Sequence, residues 1–200
     1  GNTERVVSSS GFFREKLAED VQSRARVAGI CPLIALSGLV THQSSGRRAS
    51  GVEVYGVDER FWRFHGRPAR APSGRDILLS ESLARELGSQ AQDTILVRVE
   101  KPSAIPAESL HGRKDDAGRT LRFSARGALP AAAMGEFSIR LRQGDARAVF
   151  VSLSHLQKEL DQTGRVNTIL IAGEGSRRVE GALRETFALA DLGIRLRPLP

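Results

Sequence analysis

The sequence predicts an α/β protein of the α+β type, with a mixed or antiparallel sheet, a long N-terminal helix and short β-α-β units. Three observations lead there. Alternating apolar and polar residues recur along the chain, as in strands buried on one face: Val52–Val54, Ile95–Val99, Leu121–Ala125 and Phe137–Leu141. Between such runs lie short stretches with an apolar residue at every fourth position, headed by serine, as at Ser80 with Leu83 and Leu87. Two of these units also echo one another. "LLSESLARELG…DTILVRV" and "FVSLSHLQKELDQTG…NTILIAG" share a strand, a serine, a short helix ending in Glu-Leu, a glycine and a Thr-Ile-Leu strand. Convergence and internal duplication both account for the echo, and two lobes built around the echoed units are one arrangement it allows.

Taken in order, Gly11–Gly29 reads as the long helix. Phe13, Leu17, Val21 and Ala25 form one stripe, charged residues fill the other faces, and Gly29 and Pro32 stop it. Leu33–Thr41 and the "GVEVYGV" run read as a hairpin across the polar loop His42–Ser50. Asp58–Asp76 has no clean period and reads as irregular. Ile77–Leu79 is a short strand, Ser80 caps a helix that Gly88 ends, and Ile95, Val97 and Val99 face inward on the next strand. Lys101–Ala117 is a polar, proline-bearing excursion. Phe137–Leu141 and Val149–Leu153 read as a second hairpin turning at Gln143–Ala146. A helix capped by Ser154, the strand Val166–Gly173, a helix over Ser176–Ala190 and a last strand with Ile194 and Leu196 inward complete the chain.

The 200 residues suffice for one domain or two small ones, and 40% apolar with 26% charged residues is a globular composition. No run of about 18 apolar residues occurs, so no transmembrane helix lies within this chain. No signal peptide is visible at the start. The formal charge of +7 favours anionic partners: nucleic acid, acidic lipid or acidic protein.

Little in the sequence points to catalysis. Cys31, the only cysteine, sits in an apolar run and reads as a small buried hydrophobe. The four histidines, His42, His65, His111 and His155, have no carboxylate or cysteine at metal-ligand or triad spacing. There is no phosphate loop, no GxSxG elbow and no HExxH pair, so no catalytic residue, metal or cofactor is assigned. A small enzyme whose site assembles from distant residues stays open as a minor alternative.

The candidate binding segment is "DERFWRFHGRPARAPSGRD", in which Arg60, Phe61, Trp62, Arg63 and Phe64 interleave cations and rings. Three uses of it are open: stacking and phosphate contact with nucleic acid or another anionic polymer, a protein-docking surface, or a loop that buries Phe61 and Trp62 while its arginines stay wet.

Three pieces in one order resemble the extracytoplasmic core domain of MacB/FtsX-type ABC-transporter permeases. They are "VEVYGVDERFW", "ILLSESLARELGSQAQDTILVRV" and "AVFVSLSHLQKEL…VNTILI", with a helix before the first strand. The chain departs from the pattern at "AQDT", which keeps Asp93 without the preceding glycine, and in its longer Lys101–Ala117 excursion. The resemblance implies a core domain over 12–173, with 174–200 a C-terminal helix and strand leading toward the rest of the permease. It implies a non-catalytic domain held on the periplasmic side of a bacterial membrane by flanking helices. ATP would be hydrolysed by a separate ATP-binding subunit or domain, and an extracytoplasmic protein or cargo would be the partner.

Overall fold

The computed structural model describes residues 2–67, 71–100, 118–139, 145–173, 176–188 and 191. In chain order these form β1 (Arg5–Arg14), α1 (Leu17–Ala25), β2 (Gly29–His42), β3 (Arg48–Val57), α2 (Glu59–Phe64), β4 (Asp76–Ser80), α3 (Glu81–Leu87), β5 (Thr94–Glu100), β6 (Gly118–Leu129), β7 (Ala148–Ser152), α4 (Leu153–Glu159), β8 (Arg165–Ala172) and α5 (Ser176–Thr186).

The longest strand, β2, organises the rest. One of its edges pairs with β3 from Ile34 to Thr41. The other edge is divided between two strands: Gly29–Leu33 pairs with β8 and Gly38–His42 with β5. Where one partner gives way to the other, Ala35 would be left unpaired. The side chain of Asn167, on β8, fills the place of a missing strand residue. Its Oδ1 accepts from the Ala35 N–H at 2.8 Å and its Nδ2 donates to the Ala35 carbonyl at 2.8 Å. At Gly38, β5 approaches so closely that a Cβ would stand 2.8 Å from the Arg98 carbonyl oxygen, which explains a glycine inside a strand.

Because β2 also pairs with β5, the sheet β2-β3-β7-β4-β6-β5 returns on itself as a ring, with β8 and then β1 extending from the other half of β2. The β3–β7 and β4–β6 pairs are parallel, and the others are antiparallel. Closure removes the edges within the ring and gives it one continuous apolar interior. Alternation fills it as the sequence predicts: Ile34, Val52, Val54, Ile77, Leu79, Ile95, Val97, Val99, Leu121, Phe123, Val149 and Val151 belong to one buried cluster with Leu83 and Leu87 of α3. The opposite residues of the same strands, Leu33, Tyr55, Val57, Phe150 and Leu170, form a second core against α2.

The two echoed units meet strand to strand inside this one sheet. Leu78 of β4 lies opposite Phe150 of β7, flanked by Ile77↔Val151 and Leu79↔Val149, so equivalent residues sit across a local twofold axis. The Ser80 hydroxyl caps α3 by accepting from the Leu83 N–H at 3.4 Å, and Gly88 ends it at φ 64°. Ser152 caps α4 in the same way through His155, so the cap lies two residues before the expected Ser154, whose hydroxyl bonds to that of Ser152 at 3.1 Å.

Three expectations are corrected. The long N-terminal helix does not form. Arg5–Arg14 is a strand on β8, and the helix covers only Leu17–Ala25, closed by Arg26 in the left-handed region. Phe13 belongs to the strand, yet it faces the same core as Leu17, Val21 and Ala25, so the four imitate one helical stripe. The second hairpin does not form either: β3 and β4 occupy the two edges of β7, and Phe137–Ile139 packs against Tyr55 instead of pairing. The Asp58–Asp76 segment is not irregular throughout, because α2 opens it. Lys101–Ala117 and the strand expected at Ile194 and Leu196 lie outside the described residues.

A partly buried ion pair ties β1 to the end of α5. Asp191, with a fully buried side chain, accepts from Arg14 Nε at 2.8 Å, Arg14 Nη2 at 3.0 Å, the Arg14 N–H at 3.0 Å and the Ala188 N–H at 2.8 Å. Burial alone would raise the Asp191 pKa, but these hydrogen bonds, led by Arg14, hold it below the usual carboxylate value. Replacing Asn167 by Ala strands two Ala35 backbone groups, so a loss of about 2–4 kcal/mol is expected in urea unfolding. Arg184→Ala, which breaks only an exposed pair with Glu180, is expected to change stability by under about 0.5 kcal/mol.

Candidate functional site

The segment that the sequence singles out is a capped helix and not a loose loop. Asp58 is the N-cap, its Oδ1 accepting from the Arg60 N–H at 2.9 Å. The Arg60 guanidinium bends back onto Asp58, with Nε 2.9 Å from Oδ2, and reaches across to Glu15 before α1. Burial pulls the Arg60 pKa down, yet hydrogen bonds to Asp58 and Glu15 outweigh it and raise the value overall. Arg60 is thus a neutralised tie between α2 and the start of α1.

Phe61 and Trp62 point inward, at 0% and 1% exposure. Their rings stand edge to face at 5.1 Å, and Phe61 also meets His65 at 4.7 Å and Phe137 at 5.0 Å. They serve as anchors in the second core. Arg63 is exposed and Phe64 half-buried, and the Phe64 carbonyl accepts from Asn2 Nδ2 at 2.9 Å. Arg60, Arg63 and Phe64 line one wall of a groove of about 480 Å³. Ala18, Glu19 and Gln22 of α1 line the facing wall, and Gly29, Ile30 and Pro32 of β2 lie between. The five predicted residues therefore divide into a buried pair that fixes α2 and three that shape a surface.

His65, the C-cap residue of this helix, is buried. Neither ring nitrogen has a hydrogen-bond partner, nor has Trp62 Nε1, among the described residues. Desolvation pushes the His65 pKa down to about 4.

One polar constellation is not legible in the sequence because Asp93 lies far along the chain from its other members. His42 Nδ1 bonds the Ser45 hydroxyl at 2.8 Å, while Nε2 lies 2.9 Å from the Ser44 hydroxyl and 3.1 Å from Asp93 Oδ2. The set resembles a hydrolytic triad in composition only. Both ring nitrogens are engaged by the turn that joins β2 to β3, and Ser45 also accepts from the Arg47 N–H at 3.3 Å, so the arrangement locks a hairpin tip. Cys31 is fully buried and its thiol is pushed up to about 12, mainly by burial, as a structural cysteine should be. Among the described residues no three His, Cys, Asp or Glu side chains group as metal ligands. Nor is any helix there long and apolar enough to cross a membrane.

No protein-family model matches the sequence, and no curated protein matches it. Solved structures share its fold. The periplasmic region of MacB from Actinobacillus actinomycetemcomitans superimposes with a TM-score of 0.52 at 12% identity, covering 90% of this chain and 79% of that one. The extracellular domain of the noncanonic ABC-type transporter YknZ from Gram-positive bacteria does so with a TM-score of 0.53 at 10% identity, covering 91% and 90%. The chain has the fold of a MacB-type extracytoplasmic domain, in agreement with the motif order in its sequence.

Two expectations follow. Since folding keeps His65 neutral well below its unfolded pKa of 6.5, its contribution is complete above that pH and is lost as pH falls toward about 4. On the order of 3 kcal/mol is expected to be lost across that window, and His65→Leu is expected to flatten this part of the stability profile relative to the parent protein. Trp62→Ala is expected to cost about 3–5 kcal/mol, whereas Arg63→Ala is expected to leave the melting temperature within a degree or two.

Proposed function

We propose that this chain is the extracytoplasmic domain of an ABC-transporter permease, non-catalytic itself, which couples ATP hydrolysis on a separate cytoplasmic subunit or domain to cargo export or to regulation of a partner. The observation that carries the reading is a fold shared along nine-tenths of the chain with the extracytoplasmic regions of two such transporters. The chemistry of the described residues is consistent with it: the buried clusters are structural, and the ion pairs Arg14–Asp191 and Arg60–Glu15 bind elements together. In this reading the core unit runs over 12–173, β1 from Arg5 and α5 pack onto it, and 174–200 leads toward the rest of the permease. Its partner-facing surface is the outer side of α2, where Arg63 and Phe64 are accessible and Phe61 and Trp62 hold the helix in place.

The competing use of this segment, stacking on single-stranded nucleic acid, needs exposed rings. The +7 charge favours such a partner, but Phe61 and Trp62 are in the core. The permease reading is tested in the gene: apolar stretches of about 20 residues are expected to flank this segment, and uninterrupted polar sequence on both sides would end it. A DNA titration is expected to give no saturable binding at about 0.15 M salt.

A further inference from the structure

The groove beside α2 is built along an unpaired strand edge. From Gly29 to Leu33, β2 pairs on one side with β8, but its ladder with β3 begins only at Ile34. Helix α1 packs on one face of this stretch and α2 on the other, and the edge between them lines the groove, which also reaches Ala28, Asn2 and Ala172 of β8. The direction of the backbone groups follows from Asn167. It bonds both the N–H and the carbonyl of Ala35 from the β8 side, so by strand alternation Leu33 and Cys31 also face β8. Ile30 and Pro32 then present theirs to the groove. Pro32 has no N–H to lose there, which is where a sheet accepts proline.

Resting on the reading of α2 as the partner-facing surface, we propose that this groove binds an extended peptide segment of a partner protein by strand addition to Gly29–Leu33, with an acidic side chain directed at Arg63. A groove of about 480 Å³ suits a segment of a few residues, and main-chain pairing supplies affinity while alternate side chains select the sequence. Side chains toward α2 meet Arg63 and the Phe64 ring, and those toward α1 meet Ala18, Glu19 and Gln22. The charges differ in availability. Asp58 and Glu15 neutralise Arg60, whereas Arg63 has no acidic partner among the described residues, so the α2 wall favours an acid. Glu19 on the opposite wall disfavours an acid facing α1.

The probes are an acetylated heptapeptide alternating valine and aspartate and the same peptide with lysine for aspartate. Both are titrated into isotopically labelled protein, with amide chemical shifts as the readout. The acidic peptide is expected to shift the amides of Ile30, Leu33 and Arg63 and to bind at least about tenfold more tightly than the basic one. Arg63→Glu is expected to reverse that preference while leaving the unliganded spectrum otherwise unchanged. Shifts centred elsewhere, or a preference that survives Arg63→Glu, would overturn the proposal. So would shifts at the same amides on raising protein concentration alone, which would assign the edge to a second copy of this chain. Flanking apolar spans in the gene together with a silent groove would sink this inference and leave the permease reading standing.

Discussion

Everything in this domain depends on β2 having two partners along one edge. Hydrogen bonding to β8 over its first five residues and to β5 over its last five makes a single strand the junction of an open sheet and a closed ring. The junction would otherwise leave a buried N–H and carbonyl unmet at Ala35, a cost of roughly 1–3 kcal/mol for each stranded group. Asn167 meets both with one side-chain amide. The close approach at Gly38 and the packing of α1 and α2 on opposite faces of β2 follow from that arrangement, and so does the open edge between those helices.

The sequence displayed local chemistry well and long-range pairing poorly. Ser80 as a cap, Gly88 as a left-handed terminator and the inward rows Ile95–Val97–Val99 and Leu121–Phe123–Ala125 are set by neighbours within a few residues, and they form as read. Two misreadings share a different cause. Phe13 joins a helical stripe in the sequence because strand and helix bury residues against one core. Phe137–Leu141 alternates like a strand, but β7 has both edges taken, one of them by a parallel partner about a hundred residues earlier in the chain. Neither competing contact leaves a trace near the residues concerned.

The candidate site shows the same division. An interleaved run of arginines and aromatics was visible, and its burial pattern was not. The 3.6-residue turn of α2 sends Phe61, Trp62 and His65 into an aromatic core and leaves Arg63 at the surface. Arg60 is drawn away from solvent chemistry by Asp58 and by Glu15, a contact of 45 residues' separation. The part of the run left accessible is therefore smaller than the run itself. The strands that open the two echoed units, which carried the resemblance in the sequence, pair as β4 and β7 and help close the ring.

The most direct test of this account is native-state hydrogen exchange along β2. If the divided edge is right, the amides of Leu33 and Ile34, engaged by β8 and β3, exchange only through global or near-global opening. The Ile30 amide, in the same strand and three residues away from Leu33, exchanges orders of magnitude faster because it faces the groove. Equal protection of Ile30 and Leu33 in the isolated domain would show that the edge is already occupied and would contradict the account.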